Sequence, residues 1–433
     1  MHAFFKSLVV RLLRLEAALV VRRYKPKVIA VTGSVGKTST KDAIYSVVAH
    51  DAYTRKSEKS FNSEIGLPLT ILGRPNAWRN PVAWVENLLA GASLLVVRHR
   101  YPEWLVLEAG ADRPGDIRSL SSWLPVDVAV ITRLPDVPVH VEFFDSPEAV
   151  KEEKASLIEA LVPGGALVLY ADDAEVERLR HRAPGARVVT FGFGEAAEVR
   201  GSDMRIVFEE IAGKEKPVGM SAEITIDGMT EKLVVGGALG AHALLPALAA
   251  AAVGKALDKP LPDIIDALRS YEPPKGRMHL VEGEKHTVII DDTYNSSPAA
   301  AQAALETLKL LPKGRKIAIM GDMLELGRHS VEEHRKIGAV AAKSATILMT
   351  VGFRARDIAE GALGSGMKED HIFQYEESEQ AAKELEAMLK EGDTILVKGS
   401  QSVRTERIVE EIMADPSHAA DTLVRQDEEW KKR

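Results

Sequence analysis

The sequence lacks cysteine in all of its 433 residues. Disulfide bonds, thiolate metal sites and cysteine nucleophiles are therefore excluded, which fits a cytoplasmic protein. An excess of positive charge is also missing, because the formal net charge is −7 at pH 7. A general nucleic-acid-binding protein would normally be basic, so we expect no nucleic-acid partner.

A long uninterrupted apolar run is missing as well. The apolar residues 1–26 are interrupted by Arg11, Arg14 and Glu16, whereas a spanning helix needs about 20 mostly apolar residues. A signal peptide is not expected, because a buried-strand pattern follows at once. The segment is predicted to be an amphipathic helix. It either packs on the body of the protein or contacts a membrane surface through residues 1–24, with its arginines near anionic headgroups.

The chain is too long for a single core, and two or three domains are expected. Short apolar runs alternate with helical patterns, which is typical of parallel α/β layers. Buried strands are predicted up to about residue 170 at KVIAVTG, WLVLEAG, DVAVIT and ALVLYA. The pattern between 201 and 237 indicates antiparallel strands joined by short turns, and a helix is predicted over 241–257.

A domain linker is predicted at YEPPKGR, residues 271–277, which has two prolines and a glycine. A second α/β series follows, with strands predicted at HTVIIDD, KIAIMGD, ATILMTVG and DTILVKGS. We therefore expect a central domain over 27–272 and a smaller C-terminal domain over 273–415. Residues 416–433 are polar and are predicted to be a tail that is frayed or forms a surface helix.

Residues 27–48, KVIAVTGSVGKTSTKDAIYSVV, contain the glycines, lysine and hydroxyls of a phosphate-binding loop. Their spacing is G-x-x-G-K-T, because Val31 stands where the general pattern places its first glycine. A strand, a tight turn and a helix are still predicted in the required order, with helix N–H groups facing an anion. An ordinary glycine turn that opens a helix is the alternative. The residues predicted to bind nucleotide phosphates are Gly33, Ser34, Val35, Gly36, Lys37, Thr38 and Ser39.

A magnesium site is predicted beside this loop. Lys37 is expected to reach the β- and γ-phosphates of ATP, and the Thr38 hydroxyl is expected to ligate Mg²⁺. Such a metal needs a nearby carboxylate. Glu108 ends a predicted strand, where a parallel sheet places functional groups, although a glutamate after an apolar strand is an ambiguous signal by itself.

Taken together, these segments resemble the Mur ligases, and most closely the branch that joins D-alanyl-D-alanine to a UDP-linked muramoyl tripeptide. The resemblance runs in family order from about residue 27 to 413. The segments that carry it are TGSVGKTS, NSEIGLPLTIL, LEAGADRPGDI, HVEFFDSPEAVKEEKASLIEAL, GRM, DDTYNSSP, GDMLELG and VKGSQSVRTERI.

The resemblance implies an α/β fold: a phosphate-loop parallel-sheet ATPase domain with a small antiparallel region, followed by a Rossmann-like C-terminal domain. It also implies an ATP-dependent peptide ligase in peptidoglycan precursor synthesis. ATP would phosphorylate a carboxylate, and an amine would then attack the acyl phosphate. Catalysis of this kind depends mainly on positioning and charge neutralisation.

The resemblance extends to single residues in the central domain. His140 matches the family histidine that helps to hold a second Mg²⁺. Lys154 matches the lysine that Mur ligases carbamylate with CO₂, since a carbamate can ligate a cation and an ammonium cannot. A surface or capping histidine and a lysine on a solvated helix face are the alternatives. Lys37, Lys154 and His140 are thus the predicted catalytic residues, and Thr38, Glu108, His140 and Lys154 the predicted metal ligands.

In the C-terminal domain, Asn295 is similar to the residue that contacts the adenine end of ATP. Arg277 is similar to a hinge or nucleotide-contacting arginine. Four further residues are predicted at strand ends facing the cleft, namely Asp291, Asp292, Asp322 and Lys398, and Asp322 is counted among the nucleotide-binding candidates. Helix capping and surface pairing are the alternatives for these four. Closure of this domain over the first is expected, because the acyl phosphate must be kept from water.

The chain also departs from the family. Only about 26 residues precede the nucleotide-binding strand, so the N-terminal domain that holds the UDP end is expected to be missing. Arg133, Ala243 and Ser156 stand where the family usually has Asn, Asn and Glu. A UDP-linked peptide, a lipid-linked or polyglutamate-type acceptor, and a non-catalytic ATP-binding role therefore stay open. We expect a monomer that is cytoplasmic or peripheral to the membrane.

Overall fold

The computed structural model describes residues 2–58, 62–78, 80–211, 213–312, 314–427 and 430, with side chains from residue 8 onward. The strands of this part of the chain are β1 (Lys27–Thr32), β2 (Thr54–Lys56), β3 (Trp104–Glu108), β4 (Val126–Ile131), β5 (Leu161–Tyr170), β6 (Arg187–Gly192), β7 (Val199–Ile211), β8 (Lys214–Ile226), β9 (Met229–Gly236), β10 (His279–Glu282), β11 (Val288–Asp292), β12 (Lys316–Gly321), β13 (Ile347–Val351), β14 (Ile372–Tyr375) and β15 (Thr394–Lys398). The helices are α1 (His2–Tyr24), α2 (Lys37–Ala49), α3 (Gly66–Leu72), α4 (Pro81–Val96), α5 (Asp116–Ser121), α6 (Pro147–Ala155), α7 (Ala174–Glu177), α8 (Ala241–Ala256), α9 (Leu261–Leu268), α10 (Pro298–Leu310), α11 (Ser330–Ser344), α12 (Arg356–Gly364), α13 (Ser378–Met388), α14 (Glu406–Ile412) and α15 (Ala419–Thr422).

The first sheet has the order β2-β3-β1-β4-β5-β6-β7-β8-β9 in the described residues. The strands from β2 to β7 pair in parallel, whereas β7, β8 and β9 pair antiparallel. Strand β1 lies between β3 and β4, and its residues 28–32 are buried because helices cover both faces of the sheet. The predicted fold class, including the antiparallel region, is confirmed, and that region continues the main sheet.

Two apolar layers enclose this sheet. On one side, α2 and the alanine-rich α8 pack together over the strands. On the other side, α1, α3 and α5 contribute to a separate cluster with the opposite faces of β1 and β3. Both layers leave the carboxyl ends of the strands open, which is where parallel sheets build sites.

The second sheet has the order β10-β11-β15-β12-β13-β14 in the described residues. All pairs are parallel except β10 with β11. Residues 271–277, the predicted linker, lie between α9 and β10. The register of β11 and β15 pairs Asp292 with Lys398 at the carboxyl edge, so two polar residues far apart in sequence meet there.

The first and the last described helices, α1 and α15, pack on the body of the protein. In α1, Leu13, Ala17 and Val20 are buried against the first unit. The segment predicted as a polar tail is not frayed in its described part, because Ala419 and Leu423 are buried in the core of the second unit. No helix within the described ranges combines the length and the apolar character needed to cross a bilayer.

Candidate active site

The phosphate loop joins β1 to α2 and depends on two glycines. Gly33 has a φ of 139°, and a Cβ on it would lie 1.9 Å from the Thr132 hydroxyl oxygen. Gly36 precedes α2 with a φ of 83°, in the left-handed region that favours glycine. The loop is fixed from β4, since Ser34 N–H donates to the Arg133 carbonyl at 2.9 Å. The first turn of α2 therefore presents its free N–H groups toward the strand ends.

Thr38 and Glu108 form a buried pair beside the loop. The Thr38 hydroxyl donates to Glu108 Oε2 at 2.9 Å, and the Asn62 amide donates to Glu108 Oε1 at 3.2 Å. Both Thr38 and Glu108 are buried. A hydroxyl and a carboxylate are hard oxygen donors of the type that Mg²⁺ prefers, so the residues present fit this ion.

Lys37 and Lys154, the two lysines at the loop, are shielded from solvent. Burial lowers the pKa of Lys37, and the Glu108 carboxylate opposes this effect. Burial lowers the pKa of Lys154 well below its usual range, and the neighbouring Lys37 adds to the effect. The Lys154 amine donates to the Gly33 carbonyl at 3.1 Å and contacts the Ser34 hydroxyl at 3.2 Å. Lys154 is therefore packed behind the loop, where burial disfavours the charged form of its amine.

His140 lies between the two units. Its Nδ1 is 2.7 Å from Glu325 Oε2, and its Nε2 is 3.5 Å from Asp112 Oδ1. The contact with Glu325 is close but lacks the alignment of a good hydrogen bond. It still lowers the pKa of Glu325. The backbone of His140 has a φ of 68°. This left-handed conformation is unfavourable for residues other than glycine and persists only where the surrounding structure stabilises it.

Arg277 connects the second unit to the loop. Its guanidinium donates to the Thr38 hydroxyl at 3.1 Å and stacks on the Tyr294 ring at 4.2 Å. Asn295 follows Tyr294, and its carbonyl accepts a hydrogen bond from Lys398 at 2.9 Å. The Lys398 amine also pairs with Asp292 Oδ2 at 2.7 Å. Arg277, predicted as a hinge or nucleotide-contacting arginine, thus lies beside the phosphate loop.

Asp322 lies where it can cap a helix. Its Oδ1 accepts a hydrogen bond from the Ala355 N–H at 2.7 Å, at the start of α12. It is not among the described residues that line the main cavity. This geometry fits the capping alternative, and nucleotide contact by Asp322 stays a prediction. Asp291 is likewise buried and accepts hydrogen bonds from Thr293 at 2.6 and 3.1 Å, and burial raises its pKa to about 6.

A cavity of ≈ 870 Å³ joins these parts. It brings together most of the predicted residues: Ser34, Val35, Gly36, Lys37, Thr38, Ser39, Glu108, His140, Arg277 and Asn295. Gly33 and Lys154 lie behind the loop, outside the lining. In the described residues no group of three or more His, Asp or Glu is arranged to hold a metal alone.

Other lining residues were not identified as site residues from the sequence. Asn62, His242, Tyr294, Arg404 and Trp430 all line the cavity. Trp430 comes from the predicted tail, and Arg404 donates to its carbonyl at 2.9 Å. Asn62, Tyr294 and Arg404 lie in the segments NSEIG, DDTYNSSP and VKGSQSVRTERI, and these segments are the signal that could have identified them. For Trp430 the sequence holds no such signal.

The positions that depart from the family have different surroundings. Arg133 is exposed and lines the cavity. Ala243 is buried in α8. Ser156 is buried and donates to the Glu153 carbonyl at 2.6 Å, while the Glu153 carboxylate accepts from the Ile117 and Arg118 N–H groups at 2.8 and 3.0 Å.

Two α/β units meet at the phosphate loop, and Glu108 and Arg277 lie beside it. This arrangement defines a nucleotide-binding protein of the phosphate-loop class. The model of the Mur ligase middle domain matches residues 31–254, and that of the Mur ligase glutamate ligase domain matches residues 276–401. The chain belongs to the Mur ligase family.

Relatives and solved structures agree with this assignment. The UDP-N-acetylmuramoyl-tripeptide--D-alanyl-D-alanine ligase of Bacillus subtilis is 30% identical over 392 residues, which cover 90% of this chain and 76% of that protein. MurF of Thermotoga maritima, solved in complex with ADP, is 28% identical with a TM-score of 0.75, covering 93% of this chain and 83% of that one. MurF of Acinetobacter baumannii shares the fold, with a TM-score of 0.76 at 24% identity over 94% of this chain and 81% of that one.

Proposed function

We propose that this chain is an ATP-dependent ligase that forms an amide bond in peptidoglycan precursor synthesis. The observation that carries the proposal is one cavity of ≈ 870 Å³ that is lined by the phosphate loop and Glu108 from one unit and by Arg277 and Asn295 from the other. A cavity of this size is in the range that binds a nucleotide or another small substrate. Family membership supports the same conclusion.

In this proposal the phosphates of ATP bind at Gly33–Thr38, where the N–H groups of the loop and of α2 face the anion. Lys37 neutralises phosphate charge, and Asn295 contacts the adenine end. Arg277 supports the loop from the second unit, because its guanidinium contacts the Thr38 hydroxyl. Nucleotide binding would therefore favour the arrangement in which the two units are in contact.

Thr38 and Glu108 would hold one Mg²⁺, and His140 together with a carbamate on Lys154 would hold a second. Bound Mg²⁺ would neutralise the charge that develops on the transferred phosphoryl group. The Lys154 amine supports the carbamate. It is buried with a pKa well below its usual range, and an uncharged amine is the form that reacts with CO₂.

The reaction proceeds in two steps. An oxygen of the acceptor carboxylate attacks the γ-phosphorus of ATP, the bond to the bridging oxygen breaks, and ADP leaves. The amine nitrogen then attacks the carbonyl carbon of the acyl phosphate, inorganic phosphate leaves, and the nitrogen loses a proton. Contact between the units, including the pair of His140 and Glu325, would limit the access of water to the acyl phosphate.

The names of the relatives suggest the substrates. We propose D-alanyl-D-alanine as the amine and a UDP-linked muramoyl tripeptide as the acceptor. A lipid-linked acceptor is the second candidate, and the apolar row that α1 exposes, with Leu15 56% exposed, favours it. We further propose that the enzyme acts as a monomer in the cytoplasm, with α1 on the membrane side.

The decisive experiment measures phosphate release from ATP with Mg²⁺, D-alanyl-D-alanine and each acceptor in turn. Release that depends on an acceptor, together with formation of the amide product, is the expected result. Tight ATP binding without release for any acceptor would favour a non-catalytic module. Lys37→Ala should abolish release, and Lys27→Ala, which changes an exposed lysine at the start of β1, is the matched control.

A further inference from the structure

Helix α1 is apolar on two opposite sides. Its inner side is buried through Leu13, Ala17 and Val20. Its outer side exposes four leucines, each 38–56% exposed: Leu8, Leu12, Leu15 and Leu19. At 100° per residue these four project within a sector of about 60°. A helix that packs on one face needs a polar opposite face, so this second stripe serves no purpose in the packing of the body.

Helix α4 lies beside α1 and repeats the pattern. The Tyr24 hydroxyl, at the end of α1, donates to the Leu94 carbonyl at 3.0 Å, and Glu16 lies against Gly91. The inner side of α4 buries Trp84. Its outer side exposes four residues by 52–80%, namely Val82, Val85, Leu89 and Val96. We call the two exposed rows together, four residues on each helix, the leucine–valine surface.

The charge around this surface is opposite to that of the whole chain. Residues 1–27 contain one acidic residue, Glu16, and seven basic ones, Lys6, Arg11, Arg14, Arg22, Arg23, Lys25 and Lys27, whereas the chain carries a net −7. Arg11, Arg22 and Arg23 are exposed on α1 and lie next to its leucine stripe on the helix. Arg98 and Arg100, which follow α4 closely, are also exposed.

We infer that the leucine–valine surface docks on a membrane that contains anionic lipids. The apolar rows enter the boundary between headgroups and acyl chains, and the arginines remain among the negative headgroups. This inference rests on the proposed membrane-side position of α1. It deepens that proposal by adding α4 to the surface and by naming the charge of the lipid.

A second copy of the chain is the competing occupant, since it would also cover the apolar rows. In a two-fold interface the same patch meets itself. The arginines of one copy would then lie close to those of the other, and like charges placed together are unfavourable. The charge therefore favours an anionic lipid surface over self-association.

The test is co-sedimentation of the full chain with vesicles of phosphatidylcholine alone and of phosphatidylcholine with phosphatidylglycerol. The chain should bind the anionic vesicles and bind neutral ones weakly. Leu15→Gln/Leu89→Gln should reduce partitioning at least about tenfold. Arg22→Gln/Arg23→Gln should weaken binding to the vesicles that contain phosphatidylglycerol by about 30-fold, because each basic residue near such a surface strengthens binding about fivefold.

The matched control is Leu310→Gln/Leu363→Gln, which removes two leucines that are 71% and 52% exposed on α10 and α12. It should bind vesicles like the parent chain. The inference is overturned if the parent chain binds neither kind of vesicle, or if Leu15→Gln/Leu89→Gln binds the anionic vesicles as strongly as the parent chain does. A dimer in light scattering that these changes dissociate would assign the surface to self-association. Phosphate release without vesicles reports the ligase function separately.

Discussion

The guanidinium of Arg277 donates a hydrogen bond to the hydroxyl of Thr38 across 3.1 Å. These residues are 239 positions apart, and they join the start of the second unit to the phosphate loop of the first. Arg277 also stacks on Tyr294, so its position depends on the DDTYNSSP segment. The phosphate loop is therefore completed by a residue outside its own unit.

We expect Arg277→Met to reduce kcat/KM for ATP by about 10- to 100-fold, because hydrogen bonds of charged groups contribute about 1.5–3 kcal/mol. Initial rates over a range of ATP concentrations provide the measurement. Arg269→Gln changes an exposed arginine on the preceding segment and should leave the rate unchanged. Equal rates for the two variants would show that the contact with Thr38 does not matter.

Glu108→Gln should raise the Mg²⁺ concentration needed for half-maximal activity by about tenfold or more, since it removes the buried negative charge next to Thr38. A Mg²⁺ titration at saturating ATP measures this. Glu103→Gln, an exposed glutamate just before the same strand, is the control. A normal Mg²⁺ requirement in Glu108→Gln would remove Glu108 from the metal site.

Lys154→Ala should lose activity by about 100-fold or more if a carbamate on this lysine is a metal ligand. Bicarbonate together with a small carboxylic acid should restore part of it, because the acid supplies the missing oxygens. The carbamate itself should give a new carbonyl resonance in the parent chain supplied with ¹³C-bicarbonate. Lys151→Ala on the same helix is the control, and full activity of Lys154→Ala would refute the role.

Glu16 should make the stability of the protein depend on pH. Burial between α1 and α4 raises the pKa of its carboxyl from 4.5 to about 7, so the folded state binds a proton more tightly than the unfolded state. The contribution of this proton to the stability of the folded state is fully present below pH 4.5 and is lost as the pH rises through about 7. The effect should be about 1 kcal/mol, since the group is only partly buried.

Denaturant unfolding of the parent and of Glu16→Gln between pH 5 and about pH 8 measures this effect. Near pH 8, Glu16→Gln should be more stable than the parent. The free energy of unfolding of this variant should also change less with pH across the range. Glu86→Gln, an exposed glutamate on α4, should keep the profile of the parent. A parent whose stability rises across this range relative to Glu16→Gln would contradict the prediction.

Arg425→Gln should destabilise the second unit by about 3 kcal/mol, because it leaves Glu406 buried with one cationic partner fewer. Arg425 pairs with Glu406 at 2.9 Å and donates to the Thr293 carbonyl at 3.1 Å. Thermal unfolding should therefore occur at a lower temperature. Arg407→Gln removes a partly exposed partner of Glu379 and should have little effect on the unfolding temperature. Similar decreases in unfolding temperature for both variants would show that the buried pair of Arg425 and Glu406 does not contribute specially to stability.

Some of this molecule follows from local patterns. The eight strands predicted in the two units and the antiparallel strands predicted between 201 and 237 occur where apolar runs and turns indicate them, because strand formation depends on neighbouring residues. Strands β2, β6, β10 and β14 were not predicted. The phosphate loop is recognisable for the same reason, since Gly33 and Gly36 meet conformational needs within four residues. For Asp322 the same kind of evidence leaves two interpretations open, because a strand-end carboxylate can cap a nearby helix as easily as it can face a ligand.

The α/β layers, the phosphate loop and the family can be read from the amino-acid sequence, because each depends on short segments whose order is visible in the chain. The contacts of Arg277 with Thr38 and of His140 with Glu325, and the position of Trp430 in the cavity lining, are visible only in the folded chain. Such contacts depend on how two separately folded sheets pack. The same holds for the exposed rows on α1 and α4, since which face of an apolar helix stays exposed is set by the neighbours it packs against.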